Sequence, residues 1–111
     1  MKSMGSYHVI VTCRNSEASI RQAITSLLDQ DTKPEYIVVV DDGSKDKTPS
    51  ILSEFRTKNE NFYIITNPDL GYDIGRVVVN WNKALRLSKE LDLEPTDYHM
   101  ISTCLLYTSD A

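Results

Sequence analysis

Tyr36-Ile37-Val38-Val39-Val40-Asp41-Asp42-Gly43-Ser44 is the stretch whose reading decides the fold. Residues with strong strand preference run directly into two carboxylates, a glycine and a serine. A run that is apolar on both faces suits a central strand of a parallel sheet, covered by helices above and below. The two acids then stand at the carboxyl end of that strand, where open α/β sheets bind their ligands. Gly43 permits a sharp turn, and Ser44 is able to hydrogen-bond the turning backbone. Taken alone, an Asp-Asp-Gly run is better explained by a simple turn, so the flanking sequence has to decide.

Upstream, Tyr7-His8-Val9-Ile10-Val11-Thr12 reads as a first strand, ended by the polar run Cys13-Arg14-Asn15-Ser16. From about Ser16 to Gln30, the residues Ile20, Ala23, Ile24, Leu27 and Leu28 fall on one helical stripe, with Asn15 or Ser16 as the expected N-cap. Downstream, Thr48-Pro49 is a helix start, with Thr48 expected at the N-cap and Pro49 at the first helical position. Ile51, Leu52 and Phe55 give that helix an apolar face, and Phe62-Tyr63-Ile64-Ile65-Thr66 reads as a third strand. After a loop over 67–75, a third helix is expected from about Arg76 to Leu91, with Val77, Trp81, Ala84, Leu85 and Ser88 facing one way. Tyr98-His99-Met100-Ile101-Ser102 reads as a fourth strand. Strands and helices alternate throughout, which predicts an α/β fold with a doubly wound, mainly parallel sheet and right-handed crossovers.

A chain of 111 residues holds at most one domain. The net charge of −4 gives no electrostatic reason to expect nucleic acid or an anionic membrane surface as partner. Cys13 and Cys104 lack the spacing of a metal knuckle or a redox pair, so reduced thiols in the cytoplasm are the expectation. No apolar run approaches the roughly 18 residues that cross a bilayer. Among nucleotide-binding α/β signatures, G-x-G-x-x-G after the first strand and G-x-x-x-x-G-K-[ST] are both absent. A receiver domain would carry its acidic pair after the first strand, whereas here it follows the second.

The blocks Val9-Ile10-Val11-Thr12-Cys13-Arg14-Asn15 and Val39-Val40-Asp41-Asp42-Gly43-Ser44-Lys45-Asp46-Lys47-Thr48 resemble the family 2 glycosyltransferases, which have the GT-A fold. The resemblance continues through Asn67-Pro68-Asp69-Leu70-Gly71, Arg76 and Asn82-Lys83-Ala84-Leu85, and covers about Val9 to Ser102. It implies an enzyme that transfers a sugar, with inversion, from a nucleoside diphosphate sugar (a UDP-linked donor is expected) to an acceptor hydroxyl on a glycan, lipid carrier or protein. Asp42 is then the carboxylate that accepts from the base, with Thr12 and Arg14 lining the same pocket and Glu17 closing it. Asp41 is assigned to the same donor site, although a turn alone would account for it. Arg76, at the start of the third helix, is placed for the diphosphate. Lys45, Asp46 and Lys47 read as solvated surface, and Trp81 and the tyrosines as packing.

The pattern departs from the family at the fourth strand. There an acidic D-x-D motif that binds Mg²⁺ or Mn²⁺ is expected, and Cys104 and Leu105 stand in its place. Residues 1–6 read as a leader, 7–103 as the nucleotide-sugar-binding part of the domain, and 104–111 as an atypical tail foreign to it. No catalytic base is identified in the chain. The expectation is therefore an N-terminal portion of a glycosyltransferase, inactive alone, whose metal ligands, base and acceptor site lie elsewhere. Two alternatives stand beside it: a nucleotidyltransferase, which would want a glycine-rich basic loop after the first strand, and a non-catalytic binding domain of the same fold.

Overall fold

The computed structural model describes residues 7–31, 33–69, 75–91 and 98–103, with backbone alone for Val77 and for 98–103. In chain order the elements are β1 (Tyr7–Cys13), α1 (Ile20–Leu28), β2 (Ile37–Asp41), α2 (Thr48–Lys58), β3 (Phe62–Thr66), α3 (Arg76–Glu90) and β4 (Tyr98–Thr103). All seven expected elements are present. The four strands form one sheet in the order β3-β2-β1-β4, and every pairing is parallel. The chain steps outward from β1 to β3 and then crosses back to lay β4 on the other side of β1. That reversal is the feature that opens a crevice at the carboxyl ends of the strands in doubly wound sheets.

Side-chain alternation on the inner strands divides the core in two. Val9, Val11 and Cys13 of β1 and Ile37 and Val39 of β2 join Ile20 and Ile24 of α1, Ile51 and Leu52 of α2, and Phe62 of β3. Ile10, Val38 and Val40 point the other way, with Tyr36, and meet Ala84 of α3, flanked by Trp81 and Leu87. Helices α1 and α2 therefore cover one face and α3 the other. This explains why β2 is apolar at successive positions: neither face of a central strand sees water. Each fully buried Val, Ile or Leu contributes about 1.5–3 kcal/mol relative to exposure.

Four local expectations are corrected. Helix α1 begins at Ile20, with Ser19 at its N-cap and no side-chain cap bond, so neither Asn15 nor Ser16 caps it. Both are spent in the preceding loop. Asn15 adopts a left-handed φ of 48° and accepts the Lys45 N–H, while the Ser16 hydroxyl donates to the Arg14 carbonyl. The Ser16 carbonyl accepts the N–H groups of Ser19 and Ile20, which makes a turn ahead of the helix. At the other end α1 stops at Leu28 and not at Gln30, whose side-chain amide donates to the Ser26 carbonyl.

In α2 the N-cap position falls on Lys47, and Thr48 is already helical. The Thr48 hydroxyl oxygen accepts the N–H of Ser16 instead, tying the start of α2 to the loop after β1. In α3, Ala84 is buried and Trp81 and Ser88 are half-buried, but Leu85 is exposed. Successive helix positions turn by about 100°, so Leu85 falls outside the arc centred on Ala84, whereas Leu87 falls inside it. Val78, Val79 and Leu91 are exposed on the same helix. The expected Val77 contact and the tail over 104–111 lie outside the described side chains.

Candidate functional site

Residues at the carboxyl ends of β1, β2 and β3 inherit the strand alternation. On the α3 side, Thr12 and Arg14 follow Ile10, Asp42 follows Val40, and Asn67 follows Ile65. Backbone pairing continues past the strands to hold these ends together: the Asp42 N–H donates to the Cys13 carbonyl, and the Asn67 N–H to the Asp41 carbonyl, each at 2.9 Å. The two adjacent aspartates are therefore aimed at opposite faces, and they meet different partners.

Asp41, on the α1 and α2 side, closes the turn. Its Oδ1 accepts the Ser44 N–H at 3.0 Å and the Ser44 hydroxyl at 2.5 Å. It is buried, and its Oδ2 finds no hydrogen-bond partner among the described residues. Burial raises the pKa of its carboxyl, against the lowering effect of the two Ser44 hydrogen bonds, and repulsion from Asp46 and Asp42 adds to the rise.

Asp42 is fully buried, and both its oxygens are engaged. Arg76 lies against it from the first turn of α3, with Nη2 donating to Oδ2 at 2.9 Å and Nε standing 3.1 Å from Oδ2 and 3.2 Å from Oδ1. The Asn67 side-chain N–H also donates to Oδ1, at 3.1 Å. A guanidinium fork on a carboxylate is the strongest pairing that protein side chains offer, and it fixes orientation as well as charge.

Arg14 is buried under the turn. Its Nη1 donates to the carbonyl of Asp42 at 2.9 Å, reaches that of Gly43 at 3.4 Å, and pairs with Asp69 Oδ1 at 3.0 Å. Lys45 Nζ meets the other Asp69 oxygen at 2.9 Å. Gly43 takes a φ of 72°, and a Cβ there would stand 2.5 Å from Asp69 Cα and 2.8 Å from Pro68 O. The loop after β3 thus packs directly on the turn after β2, and only glycine leaves room for it.

Thr12 is buried near the end of β1, in register with Val40 on one side and Thr103 on the other. Glu17 is exposed and engaged with the segment before α2: its N–H donates to Asp46 Oδ2 at 3.0 Å and its Oε1 accepts the Lys47 N–H at 3.3 Å. The structure thus brings Thr12, Arg14, Asp42 and Arg76 to one edge of the sheet, while Asp41 serves the turn and Glu17 the neighbouring loop.

Asp46, expected as solvated surface, is a brace. It accepts the N–H groups of Glu17 and Thr48. Partial burial alone would raise its pKa, but its hydrogen bonds with Thr48 and the Glu17 N–H outweigh that and bring it below the usual value.

Four participants carried no assigned role in the sequence: Asn67, Asp69, Asn80 and Lys83. Asn67, Asp69 and Lys83 stand in blocks that carry the resemblance but have no function assigned there, and Asn80 is a polar residue inside a helical pattern. An asparagine at the exit of a strand, whose parity matches Asp42 on the neighbouring strand, was the available signal for Asn67.

For a divalent cation the described residues do not fit. Among them no group of three or more His, Cys, Asp or Glu side chains is placed to hold a metal ion. Asp41 is committed to Ser44 and Asp42 to Arg76. The positions of Cys104 and Leu105 lie outside the described residues, and leucine offers no ligand atom.

A four-stranded parallel sheet covered on both faces, with polar side chains gathered where its strands end, defines a doubly wound α/β domain of the ligand-binding kind. The family model for Glycosyl transferase family 2 matches residues 8–89, and the chain belongs to that family. In kind it is therefore a glycosyltransferase domain with the GT-A type of open sheet. A comparison with curated proteins returned no match. No helix among the described residues is long and apolar enough to cross a membrane.

Proposed function

We propose that this chain is the donor-binding portion of an inverting, metal-dependent glycosyltransferase of the cytoplasm, and that its edge cluster receives the nucleoside diphosphate of a UDP-linked sugar. The observation that carries the reading is the arrangement of Asp42: a buried carboxylate at the carboxyl end of a central strand, with an arginine from a helix start against it and Thr12 buried near the end of the neighbouring strand. A ring N–H of the base suits a carboxylate acceptor, and the guanidinium suits a phosphate.

In this reading, donor binding is an exchange. The base N–H takes the place of Arg76 on Asp42, and Arg76 turns its fork to the diphosphate. A buried charge is costly without a partner, so the exchange keeps Asp42 satisfied at every stage. Arg14 and Asp41 shape the turn that presents Asp42, and Glu17 holds the neighbouring loop that borders the nucleoside. Attack on the anomeric carbon requires deprotonation of the acceptor hydroxyl by a base outside the described residues. Mg²⁺ or Mn²⁺ belongs to the reading for the intact enzyme, with ligands outside the described residues, and no step here runs through it. The acceptor is a hydroxyl of a glycan, lipid carrier or protein, and in this reading the 111 residues by themselves are inactive.

Titration of the ¹⁵N-labelled chain with UDP, GDP and ADP tests this reading. UDP is expected to shift amide signals around Thr12, Asp42 and Arg76 in a saturable manner, more strongly than the purine nucleotides. Equal or absent responses at those positions contradict it.

A further inference from the structure

Asn67 sits one residue beyond β3, and its side chain is the junction of three hydrogen bonds. The amide nitrogen donates to Asp42 Oδ1 at 3.1 Å and to Asn80 Oδ1 at 2.8 Å. Its Oδ1 accepts from Lys83 Nζ at 2.9 Å. The amide's oxygen and nitrogen ends have nearly the same shape, so its orientation is set by its partners. An ammonium can only donate, so Lys83 selects the oxygen end. An ionised carboxylate can only accept, so Asp42 selects the nitrogen end. The two charges demand the same orientation, and a flipped amide would set oxygen against carboxylate and NH₂ against ammonium.

We propose that Asn67 and Lys83 are positioning residues for Asp42: Lys83 locks the Asn67 amide, and the amide locks the carboxylate plane that meets the donor nucleotide. This rests on the reading of Asp42 given above. Neither residue touches the nucleotide. The two grips on the carboxylate differ in how readily they yield. Arg76 keeps part of its side chain in solvent (18% exposed), whereas Asn67 is buried and engaged at both ends of its amide.

A ligand that reaches Asp42 therefore displaces the guanidinium and leaves the amide in place, because removing Asn67 would break the whole junction together. Arg76, Asn80 and Lys83 stand at i, i+4 and i+7 along α3, on one face of the helix. One helix thus presents both the group that leaves and the groups that hold. Asn80, fully buried, completes the junction from the middle of that face.

The test is UDP affinity of the 111-residue chain with Lys83 unchanged, Lys83→Met and Lys83→Arg, read by calorimetry alongside the Asn67 side-chain NH₂ signals in ¹⁵N spectra. Lys83→Met keeps the stem and removes the donor. The expected result is a loss of UDP affinity of about tenfold, the scale of one hydrogen bond that involves a charged group. Lys83→Arg, which still donates, is expected to restore most of it, and the Asn67 NH₂ signals should move in the Met variant alone. Lys83→Met takes the Nζ donor from the buried Asn67 oxygen, so its midpoint of thermal unfolding is expected to fall by several degrees while circular dichroism at the binding temperature shows it folded. Lys83→Arg should recover most of that fall. If Lys83→Met binds UDP as the parent does, or Lys83→Arg is as weak as Lys83→Met, the positioning role is overturned while the donor site stands. If the parent chain binds no UDP, the donor-site reading itself fails and the positioning role falls with it.

Discussion

Arg76 and Asp42 are joined as a fork on a carboxylate, Nη2 to Oδ2 at 2.9 Å and Nε to Oδ1 at 3.2 Å, with Asp42 fully buried and Arg76 partly in solvent. The pair ties the first turn of α3 to the carboxyl end of β2. Removing the arginine leaves a buried carboxylate short of its counter-charge, which is far more costly than never having had the pair. Arg76→Ala is expected to destabilise the chain by about 3 kcal/mol in urea unfolding. Arg76→Lys keeps the charge but loses the fork and should fall between the two. In an Asp42→Asn background the Arg76→Ala change should cost about 1 kcal/mol or less, since no buried charge is left uncompensated.

The close approach of the 68–69 backbone to the turn predicts a second outcome. Gly43→Ala places a Cβ 2.5 Å from Asp69 Cα in a residue already at a φ of 72°. Backbone atoms cannot rotate aside, so either the turn or the loop after β3 has to shift. A loss of about 2 kcal/mol or more is expected, above the ordinary cost of a left-handed non-glycine residue. Denaturant melts of the single variant measure it.

Asp41 gives a prediction with a definite sign. Burial raises its pKa above the unfolded value of 3.8, so the folded chain binds the proton more tightly than the unfolded chain does. Stability from this group is greatest when Asp41 is protonated, and it is lost as pH rises from about 3.8 through the raised folded value. Asp41→Asn keeps an oxygen for Ser44 and cannot ionise. The stability of Asp41→Asn relative to the parent is therefore expected to increase as pH is raised from 4 to 7, because contributions of the other acids cancel in the difference. A difference that is flat or falls with pH contradicts the assignment. Thermal midpoints of both chains across that range are the measurement.

The order of elements was legible in the sequence because the β2 run is apolar at every position and the helical stripes on either side keep a clean period. Capping was less so. Asn15, Ser16 and Thr48 are good cap residues by type, but the side-chain oxygens of Asn15 and Thr48 accept backbone N–H groups distant in sequence, those of Lys45 and Ser16, and the Ser16 hydroxyl donates to the Arg14 carbonyl. Local preference yields there to tertiary partners. The placement of Thr12, Asp42 and Arg76 at one sheet edge was legible because the first two stand where β1 and β2 end and the third stands where α3 begins. The hydrogen bonds that join Asn67, Asn80 and Lys83 were not legible, although Asn67 and Lys83 stand in the matching blocks, because they depend on register between β2 and β3 and on the rotation of α3. Leu85 was misplaced for the same reason: one position of helix rotation separates it from the buried arc.

That correction to α3 carries its own test. Leu52 is fully buried between α2 and the sheet, and Leu85 is exposed. Leu52→Ala is expected to cost about 2–5 kcal/mol, the range for a buried large-to-small change. Leu85→Ala should stay within about 1 kcal/mol. Similar losses for the two would place Leu85 back in the core.

The central claim is that Asp42 receives the base of the donor. The most direct measurement compares UDP affinity of the parent chain with Asp42→Ala and Asp42→Asn by calorimetry, with circular dichroism confirming that each variant is folded. The account predicts saturable binding by the parent and a loss of tenfold or more in both variants, about 1.4 kcal/mol or greater. Unchanged affinity in a folded Asp42→Ala chain would contradict it, and would leave Asp42 as nothing more than the anchor of α3.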